Sequence, residues 1–197
     1  VVDYFSAHFI DKIGYRKCTV AAHIFASAGL FLLGVLPFCM KPFFGVVISI
    51  MIYAVGSGLI EVIISPLVEA CPTENKSGSM SLLHSFYCWG QACTVLITTA
   101  LVMMFGYKDW ANIPLLWAII PFLNMISFFK VPIVEHEKEK KEASFMLLFK
   151  DSRFKLYMVM MICAGAAEIT MVEWASLFVH SSLGVSKIIG DLAGPCA

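Results

Sequence analysis

Charged residues are scarce in this sequence. Of its 197 residues, 14 are Lys or Arg and 14 are Asp or Glu, so the formal net charge is zero. A soluble domain of this length needs more polar surface to cover one core, and a net charge of zero gives no indication of binding to nucleic acid. With 59% hydrophobic residues and a mean hydropathy of +0.83, we expect the chain to lie in a lipid bilayer, with no nucleic acid as a partner.

Metal-binding and catalytic motifs are also missing. The seven cysteines include no CxxC pair, which favours packing roles over a disulfide framework or a zinc site. HEKEK, His136–Lys140, lacks the second His of a metalloprotease motif, and GSGLIE, Gly56–Glu61, lies inside an apolar run rather than at the strand-to-helix turn of a dinucleotide site. No spacing assembles a nucleophile, a base and an orienting group. We therefore expect no metal, no cofactor and no enzymatic activity.

Five apolar runs are each long enough to cross a bilayer, since about 20 helical residues span about 30 Å of hydrocarbon. The runs are continuous, whereas strands of a membrane barrel would alternate apolar and polar residues. They are Cys18–Phe38, Phe43–Pro66, Met80–Phe105, Ala111–Val131 and Leu156–Val179. The sequence therefore predicts an all-α membrane protein, a polytopic helical bundle.

Both ends of the sequence have the pattern of interrupted helices. Val1 is not an initiator Met, and Val1–Ile10 is too short to span a bilayer, so we expect the tail of a helix that begins upstream. The last residues, GDLAGPCA, stop where a further helix starts. We therefore expect a fragment of a longer protein.

Basic residues are unequally divided among six connections, which are the segments that precede, separate and follow the five runs. Of the 14 Lys and Arg, 11 lie in the first, third and fifth connections, and one lies in each of the other three. Positive charge favours the cytoplasmic side. We therefore expect residues 11–17, 67–79 and 132–153 in the cytoplasm of an integral membrane protein, with the cell (plasma) membrane as its expected location.

The first connection resembles the signature loop of the major facilitator superfamily, which reads G-x-x-x-D-R-x-G-R-R/K between that family's second and third helices. In DKIGYRK, the matching residues are Asp11, Lys12, Gly14 and Arg16, with Lys17 as an additional base. The chain departs from the signature where Ala7 replaces the first Gly and Tyr15 replaces an Arg. The resemblance implies that Asp11–Lys17, here called the gate motif, makes cytoplasmic contacts that hold one access state closed.

The segment Gly58–Gln91 narrows this resemblance to the sugar-transporting, fucose-permease-like branch, whose members carry an acid on the fourth helix where Glu61 stands. The resemblance covers the chain from a late second helix to an early eighth helix. It implies a partial major facilitator fold: residues 1–131 form an incomplete N-terminal six-helix bundle, 132–153 form a cytoplasmic linker, and 154–197 begin the C-terminal bundle.

A polar stripe in the second run can be read without the family. Ser57, Glu61 and Ser65 recur every four residues and so share one helix face. Small and polar residues usually pack helices together in membranes, and Asn124 is expected to do so. An acid at the bilayer centre instead costs about 2.5–3.5 kcal/mol on insertion scales, so Glu61 is expected to face a cavity or a partner.

Five further residues complete the predicted path for substrate and protons. His84 and Gln91 belong to a second polar stripe in the third run, and His84 can equally be an interhelical donor. Glu168 and Glu173 stand five residues apart in the last run, which separates them by about 140° on a helix. At most one of them is expected to line the path. Trp174 beside them can stack on a sugar ring or pack in the bundle.

These features predict a secondary active transporter that moves a sugar or a sugar-like polar solute by alternating access, with the proton as the candidate coupling ion. A carboxyl group that alternates between wet and dry surroundings can load and release a proton, because dry surroundings disfavour its charged form. The alternative is a major facilitator exporter or uniporter of another small solute, such as a drug or a metabolite. A membrane-embedded enzyme is less favoured, and a channel would show pore loops or charged rings.

Overall fold

Five long helices make up most of the computed structural model, which describes residues 10, 13–133, 149–186 and 189–190. Each is long and apolar enough to cross a membrane. No strand occurs in these described ranges, and the prediction of a polytopic all-α membrane protein is confirmed. The helices are α1 (Tyr15–Cys39), α2 (Pro42–Ala70), α3 (Lys76–Phe105), α4 (Asn112–Lys130) and α5 (Ser152–Leu183), with a short 3-10 helix, Tyr107–Asp109, before α4.

Capping residues explain why α3 and α5 begin about one turn before the predicted apolar runs. The Asn75 side chain accepts a hydrogen bond from the backbone N–H of Gly78 at 2.8 Å, and the Asp151 carboxylate accepts one from that of Arg153 at 2.9 Å. Each cap satisfies a donor that the first turn of a helix leaves without a partner. Hydropathy therefore predicts the part of a helix that lies in lipid, whereas the capping residues determine where the helix begins.

Proline and glycine set other boundaries. Pro42 stands in the first turn of α2, where its missing N–H costs nothing. Val131 is extended because Pro132 follows it, and α4 therefore ends at Lys130. At the end of α5, Gly184 adopts the left-handed conformation, with φ of 63°.

The chain forms two compact units, Val1–Tyr87 with Leu101–His136 and Cys88–Ala100 with Glu137–Ala197. Within the first unit, α1 is the central helix and packs against both α2 and α4. In the second unit, Ala175 of α5 is buried and Gly190 approaches Ser176. The His180 Nδ1–H there donates to the carbonyl of Val185 at 2.6 Å, since a carbonyl can only accept.

The contact between α1 and α2 depends on small residues. A Cβ atom added at Gly29 would lie 2.6 Å from the Cα of Tyr53, and one added at Gly56 would lie 2.6 Å from the carbonyl oxygen of Ala22. Such approaches are possible only without a side chain, and they allow two membrane helices to pack backbone against backbone. We call this contact the glycine seam.

The contact between α1 and α4 combines a polar and an aromatic component. The Ser27 hydroxyl donates to the carbonyl of Ala118 at 3.1 Å. Towards the end of α1, the rings of Phe38 and Trp110 stack with centroids 6.0 Å apart. The two helices run antiparallel, so the start of α1 lies beside the end of α4.

Candidate functional site

Helix α2 has two distinct faces. Its buried residues, Gly45, Ser49, Gly56 and Ile63, lie on the side of α1. Glu61 stands five residues after Gly56, which places it about 140° around the helix from the seam. Its side chain is exposed, and no described residue holds it by a hydrogen bond or an ion pair.

The predicted polar stripe therefore lies on the face of α2 that is directed away from α1. Ser57 is exposed and Ser65 is half-buried on the same face. The first unit does not bury the carboxylate, although a bare acid cannot face lipid without a large cost. In the membrane, this face of α2 needs water, solute or another polar surface beside it.

The second predicted stripe lies on α3. His84 is exposed and Gln91 is half-buried, and neither makes a hydrogen bond to a described residue. His84 belongs to the first unit, as Glu61 does, and no hydrogen bond joins the two side chains. Helix α3 has no buried residue in the described chain, so solvent or a partner can reach the side chain of His84.

The acids of the last run lie on α5. Glu168 and Trp174 are both exposed. Glu173 lies in the same helix, but its side chain falls outside the described residues. Because the helix is continuous from Ser152 to Leu183, Glu168 and Glu173 stand on different faces. Their roles, and that of Trp174, stay predictions.

The described part of the gate motif contributes a turn and an anchored base. Asp11 and Lys12 lie outside the described residues. Gly14 has φ of 95°, a conformation that residues with a Cβ rarely adopt, and its N–H donates to the carbonyl of Ile10 at 2.9 Å. The glycine of the motif is therefore required by the backbone turn that leads into α1.

Arg16 does not extend away from its own bundle. Its Nη1 donates to the carbonyl of Phe129, in the last turn of α4, at 3.1 Å. Carbonyls in the last turn of a helix have no partner within the helix, and a cation is favourable there. Lys17 is exposed and remains available for other contacts. This division between the two bases was not predicted from the sequence.

Sequence reasoning also missed a cavity of about 330 Å³ between α1, α2 and α4. His23, only 7% exposed, lies on its wall with Thr19 and Asn124. The His23 ring is held by a 2.8 Å hydrogen bond to the Thr19 carbonyl and by a tilted contact with Phe128, with centroids 5.1 Å apart. A histidine inside an apolar run was the available signal, but nothing local showed which helices would surround it.

The potential metal-ligating side chains of the described residues do not come together in a cluster. No group of three or more His, Cys, Asp or Glu side chains there could hold a metal ion. The described cysteines are free, with Cys18 buried and Cys39, Cys71, Cys88, Cys93 and Cys163 exposed.

Comparison with protein families shows what the chain is similar to. The model described as Major Facilitator Superfamily matches residues 1–196 of the chain. Two further comparisons, with curated proteins and with solved structures, give no match.

Proposed function

Since this chain belongs to the major facilitator superfamily, whose members move small solutes across membranes, we propose that its own solute is a sugar or a sugar-like polar compound. The observation that carries the proposal is the position of Glu61 on the face of α2 opposite the glycine seam. A carboxylate there is free to accept hydrogen bonds from sugar hydroxyls, and Ser57 adds a hydroxyl on the same face.

The same carboxylate is proposed to couple solute to protons. When the path alternates between water-filled and closed states, the charged form of Glu61 is favoured in the first state and disfavoured in the second. The solute hydroxyls and the proton then bind to the same group, the carboxylate of Glu61, either in competition or together. His84, Gln91 and one of Glu168 and Glu173 complete the proposed path, with Trp174 as a stacking surface for a sugar ring.

The proposed mechanism is rocking of two bundles about a site near the middle of the membrane. The bundles are residues 1–131 and the bundle that begins at residue 154, joined by a cytoplasmic linker at 132–153. The alternative solute is a drug or another metabolite that is exported or carried without a coupling ion. Such a compound would have fewer hydroxyl groups and less need of a carboxylate.

Counterflow of labelled solutes in proteoliposomes tests the proposal. With the full-length protein, we expect preloaded monosaccharides to drive transient uptake of the labelled sugar, while preloaded apolar drugs do not. Counterflow with drugs and none with any sugar would favour the exporter alternative. Protein-free liposomes provide the background.

Two exposed cysteines test the proposed orientation. Cys39 is the last residue of α1, and Cys71 directly follows the last residue of α2, at the opposite end of the two helices. In variants that keep one cysteine each, an impermeant thiol reagent applied to intact cells is expected to label Cys39 strongly and Cys71 only after lysis. The buried Cys18 is a control for low reactivity in both conditions. External labelling of Cys71 but not of Cys39 would show that the orientation is opposite to the proposed one.

Asp11→Asn tests the gate motif. The substitution keeps Lys12, Arg16 and Lys17, so membrane insertion is expected to be unchanged, since the bases set the orientation. Transport is expected to fall several-fold, because the motif would lose the charge that makes its closing contacts. Asp109→Asn, in the exposed 3-10 helix before α4, is the matched control and should leave transport unchanged. Equal transport in the two variants would leave the motif a purely topological role.

A further inference from the structure

The cavity between α1, α2 and α4 is lined mostly by apolar residues, with three polar residues among them. Its apolar lining consists of Ile60, Ile63, Ile64, Leu67, Ile120, Pro121 and Phe128. The polar lining residues are Thr19, His23 and Asn124. Thr19 donates its hydroxyl proton to the carbonyl of Tyr15 at 2.8 Å, so two polar groups remain for a ligand.

The hydrogen bond of His23 determines which ring nitrogen is available. The Thr19 carbonyl can only accept, so Nδ1 carries the donated proton, and Nε2 of the neutral ring is an acceptor. Nε2 makes no hydrogen bond to a described residue. Since no buried polar side-chain atom in the described chain lacks a partner, Nε2 is not fully buried, and the residue that carries it lines the cavity.

The cavity favours an uncharged ligand. No Asp, Glu, Lys or Arg is among its lining residues, so a charged ligand would lose water without gaining an opposite charge. A sugar would also fit poorly, because its several hydroxyls would face seven apolar side chains. A mostly apolar molecule with one hydroxyl group would fit, because the hydroxyl can donate to Nε2 and the apolar part can contact the apolar walls.

We propose that this cavity binds a membrane-dissolved alcohol, with its hydroxyl donating to Nε2 of His23 and accepting from the amide of Asn124. Asn124 is exposed and makes no hydrogen bond to a described residue. The site is separate from the proposed transport path, because Glu61 and Ser57 are not among the residues that line it.

The depth of His23 supports a ligand that enters from the bilayer. His23 stands eight residues after Tyr15, which is about 12 Å along α1. A hydroxyl carried to this depth leaves the water at the membrane surface behind and has few partners in hydrocarbon. A hydrogen bond to His23 or Asn124 therefore retains an alcohol over an apolar molecule of the same shape.

Photolabelling tests the site. The full-length protein is placed in phosphatidylcholine nanodiscs with a long-chain alcohol that carries a diazirine in its chain, or with the methyl ether of the same probe. We expect the alcohol to label peptides of α2 and α4 about two- to tenfold more than the ether, the factor that one net hydrogen bond gives. His23→Phe should reduce alcohol labelling to the level of the ether.

Matched variants separate recognition from misfolding. Asn124→Leu should also reduce the preference for the alcohol, whereas His23→Gln should retain part of it, because the Gln amide oxygen can accept in place of Nε2. Ser127→Ala, on the same helix, removes a hydroxyl that donates to Leu123 and should leave labelling unchanged. Equal labelling by alcohol and ether in the unmodified protein, or no labelling of α2 and α4 by either probe, would overturn the proposal.

Discussion

Glu61→Gln is expected to abolish pH-driven accumulation of solute, down to the level of protein-free liposomes, while exchange of solute between the two sides continues. Gln has the shape of the protonated carboxyl group and can still form hydrogen bonds, but it never ionises. Net uptake driven by a proton gradient requires one deprotonation per cycle. Exchange requires none, because the carrier can return with solute bound.

Three outcomes of this experiment have different meanings. If Glu61 binds solute without carrying a proton, Gln should weaken uptake and exchange together, through a higher apparent KM. If Glu61 is structural, the yield of folded protein should change while the transport rate per folded molecule is preserved. Accumulation at the normal rate in Glu61→Gln would show that this residue does not carry the proton.

Glu69 offers a matched control on the same helix. It is exposed, like Glu61, but stands next to the last residue of α2. Glu69→Gln removes the same charge at the helix end and should leave both uptake and exchange near normal. The same substitution at Glu168 and at Glu173 is expected to reproduce the Glu61 pattern at no more than one of the two, because they stand on different faces of α5.

Gly56→Ala is expected to destabilise the protein, although the same change usually stabilises a helix. In a helix interior, Ala is favoured over Gly by about 0.5–1 kcal/mol. At Gly56 the new Cβ would lie 2.6 Å from the Ala22 carbonyl oxygen and 2.9 Å from the Cα of Ala26. Backbone atoms cannot rotate away, so α1 and α2 must separate. Forcing extra volume into a close-packed contact typically costs about 1–3 kcal/mol.

Gly90→Ala is the control for this prediction. Gly90 lies within α3, and apart from its chain neighbours and the backbone of its own helix, no described atom lies within 4 Å of the position that its Cβ would occupy. Thermal unfolding in detergent, followed by a thiol-reactive dye in variants that keep only the buried Cys18, is expected to give a lower midpoint for Gly56→Ala and an equal or higher midpoint for Gly90→Ala. Shifts of the same sign in both variants would mean that the glycine seam does not hold α1 to α2.

The sequence alone determined the membrane class, the five spans and the family. These properties depend on sums over a whole helix, because insertion into lipid responds to the total hydropathy of about 20 residues. It also determined that Ser57, Glu61 and Ser65 share a face, since helical spacing places them there whatever surrounds the helix. The starts of α3 after Asn75 and of α5 after Asp151 were not predicted, because the hydropathy of an apolar run does not indicate which polar residue caps the helix.

Only the tertiary structure decided which face of each helix meets a neighbour. Gly56 and Gly58 are equally small, and hydropathy cannot tell which of them α1 will pack against; the antiparallel contact with Ala22 and Ala26 selects Gly56. Arg16 and Phe129 are 113 residues apart, so no local pattern could pair them. The His23 cavity likewise needs three helices at once. Partition into lipid is a property of each helix by itself, whereas close packing and cavities arise from the shapes of several helices together.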